Sequence, residues 1–260
     1  MSVINLIEDT FFANARYWGG LHRFLYHSGS IWTMKTGIAS ADLNMAWNET
    51  PLTADDSRTI LSIKEDFRKA ALPFWWWVFP NAKSPATIDM LAAEGFSLVA
   101  SIPSMLADLS LLPDGESRDT AVTVSQVVNK EDLELWKEVS FAGFDFPVET
   151  RDQYDRFTRA FNLGPDAPQK IFLAFFNGRP AATSMLFLAE KAAGIYFVTT
   201  LAEHRKKGIG LELTQATMRF AKKACARFAT LQSSPDGLRV YEQAGFREHC
   251  RVDVYSPDAA

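Results

Sequence analysis

Cysteine and histidine are scarce in this chain of 260 residues, which holds two cysteines, Cys225 and Cys250, and four histidines, His22, His27, His204 and His249. Two thiols in no metal-ligand spacing allow at most one bridge, which excludes a disulfide framework and suits reduced thiols in a cytoplasmic protein. The histidines form no HExxH pair, so no metal is expected to serve the chemistry. A basic excess is also lacking. The formal net charge is −4, which argues against nucleic acid or an anionic membrane as partner and confines any basic site to a local patch. The start, MSVINLIEDTFF, has no basic segment leading into an apolar run, and ALPFWWWVF, the longest apolar stretch, falls far short of the roughly 20 residues of a spanning helix. Neither export nor membrane insertion is expected.

What is abundant is core material. Hydrophobic residues make up 47% of the chain, enough for one large domain or two small ones. The stretch LLPDGESRDT, 111–120, is rich in turn formers and charge and divides the chain nearly in half. Two stretches on either side of it match: SPATIDMLAAEGF at 84–96 and SPDGLRVYEQAGF at 234–246. In each, a serine suits the helix N-cap, a proline the entry and a glycine the left-handed exit. Upstream the correspondence continues. The helical stripe Ile60, Ile63, Phe67, Ala70 and Ala71 falls opposite a stripe at Leu213, Ala216, Thr217, Phe220, Ala221 and Ala224, FWWWVF falls near RFATLQ, and ADLNMAW falls near AAGIYFV. Helix, strand, capped helix and strand recur in one order, which predicts a duplicated fold. The copies differ where it matters for chemistry: RKKGIG at 205–210 stands against DDSRTI at 55–60, and Tyr241 against Leu91.

The second half reads as strand AVTVSQVV, a helix through LELWKEVSFA capped by Asn129 or Asp132, and a helix through VETRDQYDRFTRAFN. A meander follows: IFLAFF, AATSMLFLA and GIYFVTT. The order through to FREHCRVDVYS is β, α, α, β, β, β, α, β, α, β. Between the third meander strand and the next helix lie Arg205, Lys206, Lys207, Gly208, Ile209 and Gly210. Glycines let the chain turn with its amides inward, and a helix start adds unpaired N–H groups, an arrangement suited to a pyrophosphate. Neither GxxxxGK[ST] nor GxGxxG is present, so the loop belongs to neither common nucleotide motif.

The strand IYFVTTL, the loop HRKKGIG fitting [QR]xxGx[GA], the amphipathic helix after it, ATLQ, and VYEQAGF together resemble the GNAT superfamily of acyl-coenzyme A dependent N-acyltransferases, over about 120–260. The resemblance implies an α/β (α+β) fold with a mixed, largely antiparallel sheet flanked by helices, and coenzyme A in a cleft between the central strands. It divides the chain into a degenerate GNAT-like half, 1–110, a linker, 111–120, and a catalytic domain, 121–260, that binds acetyl-CoA as cosubstrate. Residues Val198, Thr199 and Thr200 would pair with the pantetheine arm as an added strand. Arg205 to Gly210, with Leu211, would hold the pyrophosphate. Ser233 and Ser234 stand where many members carry an asparagine near the pantetheine. Tyr241 matches the tyrosine that protonates the departing thiolate, and the Val198 amide is the oxyanion donor. The glutamate base of some relatives corresponds to the neighbourhood of Gly194, which has no side chain, and Glu190 ranks first among the local alternatives Glu203, His204 and His249.

The implied reaction is acetyl transfer to a primary amine of a small molecule or peptide. Two other classes stay open: a non-catalytic acyl-CoA-binding regulatory module, and a transferase of another acyl group. Three successive tryptophans, Trp75, Trp76 and Trp77, cannot all face one way on a strand, so they suit either core packing or one wall of an acceptor pocket.

Overall fold

In a computed structural model, which describes residues 2–113 and 121–258, seven α-helices and eleven strands form. The first half contributes α1 (Val3–His22), β1 (Leu25–Ser28), β2 (Ile31–Lys35), β3 (Asn44–Asn48), α2 (Ser57–Lys69), β4 (Trp75–Val78), α3 (Pro85–Ala93) and β5 (Phe96–Asp108). The second contributes β6 (Val122–Gln126), α4 (Lys130–Gly143), α5 (Arg151–Arg159), β7 (Gln169–Phe176), β8 (Arg179–Leu188), β9 (Ala192–Thr200), α6 (Ile209–Lys223), β10 (Phe228–Gln232), α7 (Leu238–Ala244) and β11 (Arg247–Pro257). The element order expected for the second half is the order found. Residues 114–120 of the expected linker lie outside the described residues.

The duplication extends to topology. The strands β1, β2 and β3 form an antiparallel meander and β3 then pairs in parallel with β4. The strands β7, β8 and β9 do the same, and β9 pairs in parallel with β10. Each parallel pair is followed by a short helix and a last strand, and those last strands are exchanged. β5, from the first half of the sequence, pairs antiparallel with β10, whereas β11, from the second half, pairs antiparallel with β4. The compact units are therefore not the two halves of the sequence. One comprises Met1–Asn14, Ser104–Phe146 and Phe161–His249, the other Ala15–Pro103, Pro147–Ala160 and Cys250–Ala260. Each has a mixed, largely antiparallel sheet flanked by helices.

In the second of these units the α2 stripe is buried at Ile60, Ile63 and Phe67, packed with Leu91 and Phe96. Trp76 enters that core and donates from Nε1 to Asn48 Oδ1 at 2.9 Å. Its neighbours Trp75 and Trp77 share the opposite face, their rings 6.3 Å apart. Leu91 is thus fully buried core where Tyr241 stands in the other copy. The two SP…GF helices differ at their starts. Ser84 Oγ accepts from the Thr87 amide at 3.1 Å and helix begins at Pro85. Ser234 Oγ instead accepts from the Gly237 amide at 3.2 Å, closing a turn before the helix begins at Leu238. Both exits use a left-handed glycine, Gly95 at φ +72° and Gly245 at φ +103°.

One side chain holds the connections of this unit. Buried Asn44 accepts through Oδ1 from the Thr36 amide at 3.0 Å and donates through Nδ2 to the carbonyls of Ile38, Ser40 and Pro73 at 2.7, 3.0 and 3.0 Å. Asn44→Ala strands an amide and up to three carbonyls, so a loss of about 3 kcal/mol in urea unfolding is expected. A loss under about 1 kcal/mol would mean that water takes over the network.

Candidate active site

The site is built around an interruption in β9. Ala182 and Thr183 of β8 face Thr200 and Thr199, then the register slips and Met185 faces Tyr196. The extra residue is a β-bulge at Phe197, whose φ of +51° is unusual for a residue with a side chain. Aromatic packing anchors it: the ring lies 5.6 Å from Trp136 and 5.4 Å from Phe144, both contributed by or just beyond α4. Thr183 Oγ1 donates to its carbonyl at 3.0 Å.

Beyond the bulge, strand alternation decides where each amide points. The Leu201 amide donates to Ala181 O of β8 at 2.9 Å. Successive amides of an antiparallel strand point to opposite edges, so Thr199 also faces β8, while Val198 and Thr200 turn to the side of β10. There β10 no longer answers, because its parallel pairing with β9 runs only from Phe228 opposite Ala192 to Thr230 opposite Gly194. The Val198 N–H therefore lies on an unpaired stretch of edge between two splayed strands.

The basic loop follows directly. Lys206 at φ +61° and Gly208 at φ +78° turn the backbone back on itself, and Gly208 caps α6. Leu211 and Glu212 donate to Gly208 O, both at 3.1 Å, and Arg205 donates to Ala202 O at 3.3 Å. Between them, the amides of Lys206, Lys207, Gly208, Ile209 and Gly210 have no backbone acceptor among the described residues. Five consecutive N–H groups without a backbone acceptor at a helix start are an arrangement that can hold an anion. The side chains divide differently from the expectation. The Arg205 guanidinium donates to Thr200 O at 3.0 Å and Gly143 O at 3.4 Å, and Lys207 Nζ donates to Glu203 O at 2.8 Å, so both hold the loop's shape. Lys206 is exposed and makes no ion pair or hydrogen bond among the described residues. Ile209 is buried in the core and Leu211 packs against it. A Cβ on Gly210 would lie 3.6 Å from Thr200 Oγ1 and 4.0 Å from Val240 Cγ1, so this glycine keeps open the space between β9 and α7.

Tyr241 reaches the same unit from α7. A Cβ on Gly237 would sit 2.7 Å from its ring, and Phe246 meets it edge-on at 6.0 Å. Its hydroxyl makes no hydrogen bond among the described residues, and burial pushes its pKa up to about 12. Ser233 Oγ is committed to Ser234 O at 2.8 Å, and Ser234 Oγ accepts from Gly237, so both serines serve the turn before α7.

Glu190, ranked first as base, is not brought together with these groups. Glu190 is exposed in the turn between β8 and β9, and the strand from Ala192 to Val198, about 20 Å long, lies between it and the Val198 amide. Direct proton abstraction needs about 3 Å, or one intervening water. Glu203 is exposed in the loop, His204 packs its ring 5.8 Å from Phe176, and His249 is exposed on β11. Over Gly194 lies Tyr196: a Cβ there would fall 2.4 Å from the Tyr196 Oη. Sequence reading missed this occupant, although residues two apart on a strand share a face. Among the described residues no group of three or more His, Cys, Asp or Glu could hold a metal ion, and no helix is long and apolar enough to cross a membrane.

Residues 133–246 match the model of the acetyltransferase (GNAT) family. No curated protein matches the chain in sequence. Among solved structures, a GCN5-related N-acetyltransferase from Kribbella flavida is similar over 96% of this chain and 96% of its own, with TM-score 0.71 and 19% identity. A GCN5-related N-acetyltransferase from Sphaerobacter thermophilus aligns over 87% of this chain and 76% of its own, with TM-score 0.64 and 16% identity. A tandem GNAT protein from the clavulanic acid biosynthesis pathway aligns over 87% and 81%, with TM-score 0.57 and 15% identity. These likenesses establish the fold, and the splayed strands, bulge and amide cradle lie inside the matched segment. Residues 133–246 thus carry the sequence pattern of the GNAT acetyltransferase family, a family that transfers acyl groups from acyl-CoA.

Proposed function

We propose that the unit carrying β9 and β10 transfers the acetyl group of acetyl-CoA to a primary amine by direct attack in a ternary complex. The observation that carries this reading is the run of five free amides, Lys206 to Gly210, beside the unpaired edge at Val198. The cradle suits a pyrophosphate. The edge suits the amide-bearing pantetheine arm, which adds as a strand along Val198 to Thr200.

The chemistry then follows in order. The amine nitrogen attacks the thioester carbonyl, and the carbonyl oxygen gains negative charge that the Val198 N–H stabilises. The C–S bond breaks, and the departing sulfur receives a hydrogen bond and then a proton from Tyr241, which is replenished from solvent. The amine must shed one proton. Glu190 lies at the far end of β9 from Val198, and Tyr196, held protonated by burial, cannot accept one near neutrality. Water takes that proton, so the rate should climb with the free-amine fraction as pH rises towards the pKa of the acceptor.

Acetyl-CoA at 100 times its dissociation constant should stabilise the fold by about 2.7 kcal/mol, read as a rise in melting temperature. No rise at millimolar acetyl-CoA would overturn the proposal. A rise without thioester consumption across a panel of amines would instead identify a binding module, and consumption only of longer or different acyl-CoA donors would identify another acyl group.

A further inference from the structure

At the end of α6 away from the basic loop, a cleft of about 540 Å³ opens on the face of the sheet that this helix covers. Its place follows from strand register. Phe172 of β7 meets Phe220 of α6 edge-on at 5.2 Å, which fixes the covered face. Lys170, two residues earlier on β7, shares that face. So do Gln126, opposite Phe172 in the β6–β7 ladder, and Leu188, two residues beyond the Leu186 that stands opposite Lys170. Leu163 and Pro165, from the segment between α5 and β7, also line the cleft. Phe220 lies ten residues, about 15 Å, along α6 from Gly210, so the cleft is separate from the site described above.

Lys170 is only 7% exposed, yet no carboxylate pairs with it among the described residues. Its Nζ donates to Pro165 O at 2.5 Å and to Gly164 O at 3.4 Å, two neutral acceptors for an ammonium that has three donors. Lysine is almost never buried unless it is paired, and a buried charge without a counter-charge is costly. Holding a segment through two carbonyls does not call for a charge, since a neutral amide can also donate twice. Gln126 adds a second polar group, partly buried, whose amide makes no side-chain hydrogen bond among the described residues. The apolar lining is not sealed. Leu163, Leu188 and Phe220 are partly buried and Pro165 is exposed, so an entering molecule can reach them.

One ammonium, one neutral amide and apolar walls describe a ligand with a single negative charge at one end and little polarity elsewhere. We propose that the cleft binds a small apolar monocarboxylate, its carboxylate held by Lys170 and Gln126 and its hydrocarbon body by Leu163, Leu188 and Phe220. The volume lies within the roughly 300–1,000 Å³ of small-molecule sites. A hydrogen bond between ionised groups is about twice as strong as a neutral one, so the acid is preferred to its alcohol. An amine of the same length brings a second cation to the lysine and is rejected. A dicarboxylate carries a charge that one ammonium does not balance into apolar walls.

Octanoate, octan-1-ol and octylamine share one hydrocarbon chain and differ in the head group, and calorimetric titration of the whole chain compares them. Octanoate is expected to have a dissociation constant at least tenfold below that of octan-1-ol, with no binding of octylamine, and only octanoate should raise the melting temperature. Lys170→Met, which keeps the apolar stem, should weaken octanoate at least tenfold and bring it level with the alcohol. Ala224→Trp, at an exposed residue that also lines the cleft, should fill the space and abolish binding of both. Equal affinity for acid and alcohol in the unmodified protein overturns the proposal, because the lysine then contributes nothing. Absence of octanoate binding at millimolar concentration overturns it too, as does binding that survives both substitutions, which places the acid elsewhere on the protein. Should Lys170→Met fail to fold, Ala224→Trp and the acid-to-alcohol ratio decide. None of these readouts involves acetyl-CoA, so the result stands or falls apart from the acetyl-transfer reading.

Discussion

Tyr241→Phe is expected to lower kcat about a hundredfold, with acetyl-CoA affinity changed less than threefold and the fold intact. The fold should survive because the hydroxyl makes no hydrogen bond among the described residues, while the ring, which Phe keeps, supplies the packing against Phe246. The size of the loss follows from proton energetics. General acids contribute about 10² to 10⁴, and with the phenol near 12 against about 8.5 for a thiol, full proton transfer is uphill by something on the order of 5 kcal/mol. The phenol therefore acts first as a hydrogen-bond donor to the growing charge, which places its contribution at the low end of the range. The same burial sets the pH dependence. The protonated phenol is the working form, so Tyr241 stays active as pH rises and is lost only on passing about 12. Stopped-flow thioester consumption should show no alkaline limb below about pH 11 that Tyr241→Phe removes. A limb near pH 10 that disappears in the variant would mean that the phenol is solvated, and a loss in kcat below threefold would take Tyr241 out of the mechanism.

Gly210→Leu should separate binding from stability in opposite directions. At the second helical position of α6, leucine in place of glycine gains up to about 1 kcal/mol in helix propensity, and an added Cβ meets only ordinary contacts with Thr200 and Val240. The rest of the leucine side chain must enter the space beside the free amides. Acetyl-CoA affinity is expected to fall at least a hundredfold, read by calorimetry, with Gly210→Ala falling about tenfold. Unchanged affinity in Gly210→Leu would move the coenzyme away from this loop. Lys206→Ala supplies the contrast: its ammonium is exposed, so its removal should weaken binding only a few-fold and mainly at low salt.

Much of the candidate site could be read in one dimension because its parts are local. The cradle is six consecutive residues, the exit glycine of α7 and Tyr241 lie within one short helix, and the amphipathic stripes of α2 and α6 announce their buried faces through a 3.6-residue period. Even the duplication was legible, since caps and exits at Ser84, Gly95, Ser234 and Gly245 obey local backbone rules. The division of labour within RKKGIG was not. Arg205 and Lys207 turn to carbonyls of Thr200, Gly143 and Glu203, and a string of basic residues does not say which ones fold back on the loop. The place of Glu190 was not legible for a similar reason. Proximity in sequence to β9 says nothing about which end of a strand a turn occupies, and this turn lies at the end away from Val198.

By itself the sequence determined the order of elements, the repeat, the glycine-bearing turn before α6 and the short helix that carries Tyr241, all properties of short segments in which backbone conformation and side-chain period are set by neighbours a few residues away. Tertiary structure alone decided three things. It placed the bulge at Phe197, where Trp136 and Phe144 pack the ring from a distant helix and turn the Val198 amide to the open edge. It exchanged β5 and β11 between the two copies, because strand pairing depends on which edge is available in space rather than on order along the chain. And it buried the side-chain oxygens of Ser104, Thr230 and Asn14 with no hydrogen-bond partner among the described residues, an outcome that no residue's own chemistry could announce, since a polar group becomes an orphan only when everything around it has been packed.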